Sequence, residues 1–237
     1  MKRNAPLPAS NCGRKAQMTR TARGWYRVAN QHQADTVDIY IYDEISAEGI
    51  TAKDFTRDLR GITASNIELH LNTQGGDVYD GMTIYNALRR HRAHVTVIVD
   101  GLAASIGSVI AMAGDRIIMA PHSQMMIHEA WVRSVGDADE TRKTADLLDK
   151  MSDNIAQVYA NKAGGSVVHW RSLMKAETWF TAEEAVEAGL AGEVADRLPV
   201  AARLREPQSV LHDRDFAAIF DDAMAVAAAT YYERNAR

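Results

Sequence analysis

A single cysteine, Cys12, excludes an intrachain disulfide and fits a reducing compartment. No apolar run approaches the roughly 20 residues of a membrane span, and the basic N-terminus lacks the apolar stretch of a secretory signal. A soluble, cytoplasmic protein is expected, with no membrane partner. The net charge of −4 and a pI near 6.1 argue against a protein that works by coating nucleic acid. None of His70, His91, His94, His122 and His169 has a second His, Cys or acid at metal-ligand spacing, so no metal site is expected and these histidines read as structural or surface residues. No Gly-x-x-x-x-Gly-Lys-Ser/Thr loop is present, which excludes a nucleotide motor within the chain. There is no internal repeat. What remains is ordinary: 46% of 237 residues are apolar, enough for one sizeable core.

The chain divides into three parts. Residues 1–34 carry Lys2, Arg3, Arg14, Lys15, Arg20, Arg23 and Arg27 before the first acid, Asp35. They read as a flexible basic tail, with an organelle-targeting peptide, a nucleic-acid or scaffold-binding arm and a solvated tail all open. Residues 35–198 form the core. Residues 199–237 open as a linker and continue as an Ala-rich helix, with Phe216, Ile219, Phe220, Met224 and Ala227 on one face.

Within the core, strand and helix periods alternate. Residues 37–42 alternate apolar and polar and predict a strand; helical spacing follows at 51–59, with Thr51 as N-cap. Strands are predicted at 67–71, 95–99, 116–120 and 124–128. Helices are predicted at 78–90 and from Ser105 to Gly114, after a small-residue turn. This order argues for right-handed crossovers and a largely parallel sheet, an α/β class. The longest helix is expected at 137–163, ended by Gly164 and Gly165. It either projects to meet another subunit or packs on its own sheet. Thr181 and Glu184 form a capping box for one more short helix, closed by Gly189.

Three segments carry chemistry. Ser105 stands between an apolar strand and an apolar helix, where unpaired N–H groups converge; a hydroxyl there is a candidate nucleophile. Asn72-Thr73-Gln74-Gly75-Gly76-Asp77 is a glycine-rich loop of backbone donors. Met125-Met126-Ile127-His128 supplies a candidate base. Each has a plainer alternative: Ser105 as a helix cap, Gly75-Gly76 as a turn, His128 as a satisfied half-buried histidine. The first glycine of a Gly-x-Ser-x-Gly elbow is missing around Ser105, which speaks against an α/β-hydrolase esterase.

Taken together, Asn72 to Val78, Gly101-Leu-Ala-Ala-Ser-Ile-Gly-Ser108, Met125-Met-Ile-His-Glu-Ala130 and Phe180-Thr-Ala-Glu-Glu-Ala-Val-Glu-Ala-Gly-Leu190 resemble the ClpP family of serine peptidases, in order and nearly in spacing, over residues 37–196. Ile39 to Ile45, residues 84–88, Ala145 to Lys150 and Ala176 to Ala185 are most similar to ClpP-like head-maturation (prohead) proteases of tailed phages. The resemblance implies a ClpP/crotonase-type fold with βαβ crossovers and a projecting helix. It also implies a homo-oligomeric ring and protein or peptide substrates, here capsid, scaffold or portal proteins. No cofactor is implied. Ser105 would be the nucleophile, His128 the general base, and the N–H groups of Gly76 and Ile106 the oxyanion hole. Gly75, Asp77, Val78, Ala130 and Trp131 would flank an extended substrate. Glycine at 76 would let the backbone approach the substrate.

The chain departs from the family pattern at the third triad position. Counted back from Phe180 it falls on Thr178, with Glu177 beside it and no aspartate near. A weakened triad, a Ser–His dyad with an acid from elsewhere, and an inactive ring-forming scaffold homologue stay open. So do a housekeeping peptidase fed by an ATP-driven unfoldase and a crotonase-type acyl-CoA enzyme, which shares the fold and the paired donors. Ser105 with His128 favours hydrolysis over the last.

Overall fold

The computed structural model describes residues 26–30 and 35–196. Most of the expected basic tail, and all of the linker and Ala-rich helix at 199–237, lie outside the described residues. Fourteen elements are described. The strands are β1 (Tyr26–Asn30), β2 (Thr36–Ile41), β3 (Asn66–Thr73), β4 (His94–Ala104), β5 (Arg116–Met119), β6 (Gln124–Ile127), β7 (Thr178–Thr181) and β8 (Glu193–Val194). The helices are α1 (Ala52–Arg60), α2 (Val78–Arg89), α3 (Ile106–Ala111), α4 (Ala138–Ala163), α5 (Val167–Lys175) and α6 (Ala182–Glu187). The α/β expectation holds: β2, β3, β4 and β5 run parallel, joined in turn by α1, α2 and α3.

Alternation decides which face each residue takes. Ile39 and Ile41, Leu69 and Leu71, and Val97 and Val99 point to one side, where Phe55, Ile84, Leu88, Val109 and Ile110 from the helices complete a single core. On the other side lies His70, whose Nδ1 is 2.8 Å from Asp100 Oδ2; the same oxygen accepts from the Tyr42 hydroxyl at 2.6 Å.

Two expectations change. The core was expected to start at residue 35, yet β1 pairs antiparallel with β2, Val28 opposite Ile39. Arg27, read as part of the basic run, hid a strand in which Tyr26 and Val28 are β-formers. The turn expected at residues 100–104 is absent. β4 continues through it because that half is paired on both sides, Thr73 opposite Ala103 and Gln124–Met126 alongside Leu102–Ala104. Thus β4 forks: Thr96–Val99 pair with β5, and Leu102–Ala104 with β6. The fork brings β6 and its antiparallel partner β7 beside the end of β4.

α4 reconciles both readings of the long helix. Asp137 caps it with a reciprocal box from Glu140. Its buried residues, Ser152, Ile155, Ala156, Val158 and Tyr159, all belong to its second half. Residues 138–151 contain no buried side chain and Leu147 is exposed, so that half projects. None of the described helices is long and apolar enough to cross a membrane.

Candidate active site

Ser105 occupies the junction of β4 and α3 with φ +54° and ψ −127°. A non-glycine residue held there costs about 1–3 kcal/mol and persists only where its surroundings dictate it. They do: the Ser105 N–H donates to Met126 O at 2.9 Å, and its carbonyl accepts from the Ser108 N–H at 3.0 Å. The sequence lacks the glycine of an elbow, yet the backbone makes a sharp turn at the serine itself. Its side chain does not cap α3. Instead Ser105 Oγ lies 2.6 Å from His128 Nε2. That contact decides against the plain helix-cap reading.

His128 arrives by strand pairing. β6 runs parallel to the end of β4, Met126 beside Ala104, so the residue just past β6 stands next to Ser105. Met125 and Ile127 point into the core, and Met126 and His128 to the other face. Burial pushes the imidazole below its ordinary pKa near 6.5, and the negative charge of Glu177 partly opposes this.

The donor loop can be accounted for atom by atom. Gly75 N–H donates to Thr73 Oγ1 at 3.1 Å and Asp77 N–H to Ile45 O at 2.6 Å. Gly76 N–H, between them, has no acceptor among the described residues. Nor has Ile106 N–H, which as the first residue of α3 lacks an i−4 partner. The reason for glycine at 76 differs from the expected one. A Cβ there would sit 2.1 Å from Ile45 O, so the neighbouring chain, rather than the substrate side, demands it. Gly75 is the residue that clears the site: its Cβ would lie 2.7 Å from Ser105 Cβ and 3.1 Å from Ile106 N.

The substrate-flanking residues divide. Asp77 accepts from Asp80 N–H as N-cap of α2, and Val78 is already helical and half-buried, so the extended segment after Gly76 ends at Asp77. Ala130 N–H is held by Ser152 Oγ at 3.0 Å, whereas Trp131 is 67% exposed.

Thr178 is not brought to the imidazole. Its hydroxyl donates to Leu173 O at 2.7 Å, and the antiparallel register sets it opposite Ile127, on the core-facing side. Glu177, just before β7, turns the backbone to φ +49°, and its negative charge acts on His128. Opposed residues in an antiparallel pair share a face, so period two separates Thr178 from His128.

Arg171 has no counterpart in the sequence reading. It joins Glu129, next to His128, at 2.7 Å, with Asp149 at 2.8 Å and Asp153 at 2.5 Å on α4. Two like charges four residues apart on one helix are unfavourable without a cation between them, and that spacing was the available signal.

Ser105, His128 and the Gly75–Gly76 loop therefore converge on one point of the fold. The family model for Clp protease matches residues 24–197. The chain belongs to the Clp protease family. Relatives named as ATP-dependent Clp protease proteolytic subunits include those of Bacteroides fragilis, 32% identical over 131 residues, 54% of this chain and 63% of the relative. That of Deinococcus radiodurans is 31% identical over 133 residues, 55% of this chain and 65% of the relative. That of Chlorella vulgaris is 31% identical over 129 residues, 54% and 64%. The match spans less than two thirds of the length of each. The matched region opens at residue 24, just before β1.

Proposed function

We propose that this chain is a serine endopeptidase with Ser105, His128 and Glu177 as its triad. The observation that carries the reading is the 2.6 Å contact between Ser105 Oγ and His128 Nε2, made by a serine in a conformation that serves no cap. The Ser105 proton passes to Nε2 as Oγ bonds to the scissile carbonyl carbon, and the oxygen takes negative charge. Gly76 and Ile106 N–H groups stabilise that oxyanion. Collapse breaks the C–N bond, and His128 returns its proton to the leaving amine. Water then repeats the sequence to release the acyl-serine. Glu177 stabilises the imidazolium, a task that a threonine hydroxyl cannot perform.

We further propose a homo-oligomeric ring, to which the projecting half of α4 contributes, and an extended peptide substrate between Gly75–Asp77 and Ala130–Trp131. The phage-like segments at 39–45, 84–88, 145–150 and 176–185 support capsid, scaffold or portal proteins as substrates, processed in the host cytoplasm or the assembling prohead. The names of the relatives favour a second reading, a peptidase fed by an ATP-driven unfoldase. The test is digestion of casein and of phage capsid and scaffold proteins by the full chain alone. Site-specific cleavage of the phage proteins without an ATPase supports the first reading, and cleavage only with an unfoldase and ATP the second. No cleavage and no labelling of Ser105 by a fluorophosphonate would overturn the peptidase.

The charge of Glu177 yields a sign-determined prediction. Neutral His128 is the active base, so the rate rises with pH through its pKa and the midpoint lies below 6.5. Glu177→Gln removes the charge that favours the imidazolium and moves that midpoint to still lower pH. The plateau falls by roughly 10²-fold or more, as when a triad acid is neutralised. The pH profile of fluorophosphonate labelling checks both, and an unmoved midpoint would place the acid elsewhere.

A further inference from the structure

The peptide bond between Ser105 and Ile106 has two ends with different tasks. Its N–H is the Ile106 donor. Its C=O belongs to Ser105 and accepts from Ser108 Oγ at 2.5 Å as well as from the Ser108 N–H. A serine hydroxyl carries one proton. With that proton on the Ser105 carbonyl, the 2.7 Å contact between Ser108 Oγ and Tyr159 OH runs the other way, the phenol donating. Both side chains are buried, Ser108 at 0% and Tyr159 at 1% exposure. Burial raises the Tyr159 phenol far above its ordinary range, so it keeps its proton and the chain keeps its direction.

We infer that Tyr159 and Ser108 are positioning residues that aim and polarise the Ile106 N–H through the peptide group it shares with the Ser105 carbonyl. A donor on an amide oxygen draws electron density from the nitrogen and strengthens the N–H as a donor, and linked hydrogen bonds reinforce one another. The same grip holds the peptide plane at an angle that the Ser105 backbone does not adopt unaided. Tyr159 lies in the buried half of α4, so the strut ties that helix to the nucleophile. This role presupposes Ser105 as nucleophile and Ile106 as oxyanion donor.

Saturation kinetics of fluorophosphonate labelling on the full chain separate probe binding, KI, from the bond-forming step, kinact. Tyr159→Phe keeps the ring and is expected to lower kinact roughly 3- to 10-fold; Ser108→Ala lowers it roughly 10- to 100-fold, with KI within about twofold. The double variant should be no slower than Ser108→Ala, because Tyr159 acts through Ser108. Melting temperatures are read alongside. Folded variants that melt earlier yet label with wild-type kinact would overturn the strut, and so would independent, multiplying losses in the double variant. If Ser108→Ala fails to fold, Tyr159→Phe decides alone: a folded variant with wild-type kinact overturns the inference. A folded wild type that is not labelled would instead overturn the nucleophile reading, and the strut with it.

Discussion

Ser105→Ala and His128→Ala are each expected to lower peptide hydrolysis by roughly 10⁴-fold or more, with the double variant hardly slower than either, because nucleophile and base act as one unit. The physical ground is the 2.6 Å contact between Oγ and Nε2: neither group does its part without the other. The loss should be chemical rather than structural. Alanine at 105 retains the backbone bond from its N–H to Met126 O and the carbonyl bonds from Ser108. It forfeits one side-chain hydrogen bond, worth about 1 kcal/mol, or about 2–4 °C of melting temperature in a domain of this size. Fluorophosphonate labelling with thermal melts on the same preparations checks both halves. Hydrolysis that persists in folded Ser105→Ala would remove this serine from the mechanism.

Gly75→Ala is expected to abolish most activity by a different route. Its added methyl would stand 2.7 Å from Ser105 Cβ, 2.8 Å from Ala104 O and 3.1 Å from Ile106 N, at a residue with φ +100°. It covers the Ile106 donor and pushes on the nucleophile at once. Losing one oxyanion donor alone lowers kcat by about 10²–10³-fold, and the displaced serine adds to that. The left-handed backbone adds a stability loss of about 1–3 kcal/mol. Gly76→Ala is the control. Its methyl would collide with Ile45 backbone at 2.1 Å, so it should fail first in folding, seen as loss of a cooperative melt. A folded Gly75→Ala that labels at the wild-type rate would show that the Ile106 N–H is not used.

The comparison of these two glycines shows where reading a sequence stops. Both were recognised as parts of a donor loop, since Gly75-Gly76 follows a strand and precedes a helix. Which atom each must avoid depends on Ile45 and Ser105, residues brought there by a bridge and by the end of β4. Short elements escaped for a related reason. β8 has two residues, too few to display a period, β7 runs straight into the capping box at Thr181, and α5 buries only Trp170 and Met174.

By itself the sequence determined the βα alternation from residue 37 onward, the long helix at 137–163 ended by glycines, and a serine poised between strand and helix. These follow from local pattern: apolar period, capping residues and turn glycines act over a few neighbours. Only the tertiary structure decided that His128 reaches Ser105, because that depends on β6 pairing with the far end of a forked β4. It alone turned the Thr178 hydroxyl to Leu173 O and left the charge of Glu177 acting on the imidazole. A register slip of one residue reverses the faces of a strand, and register is set by the partner strand, not by the segment itself.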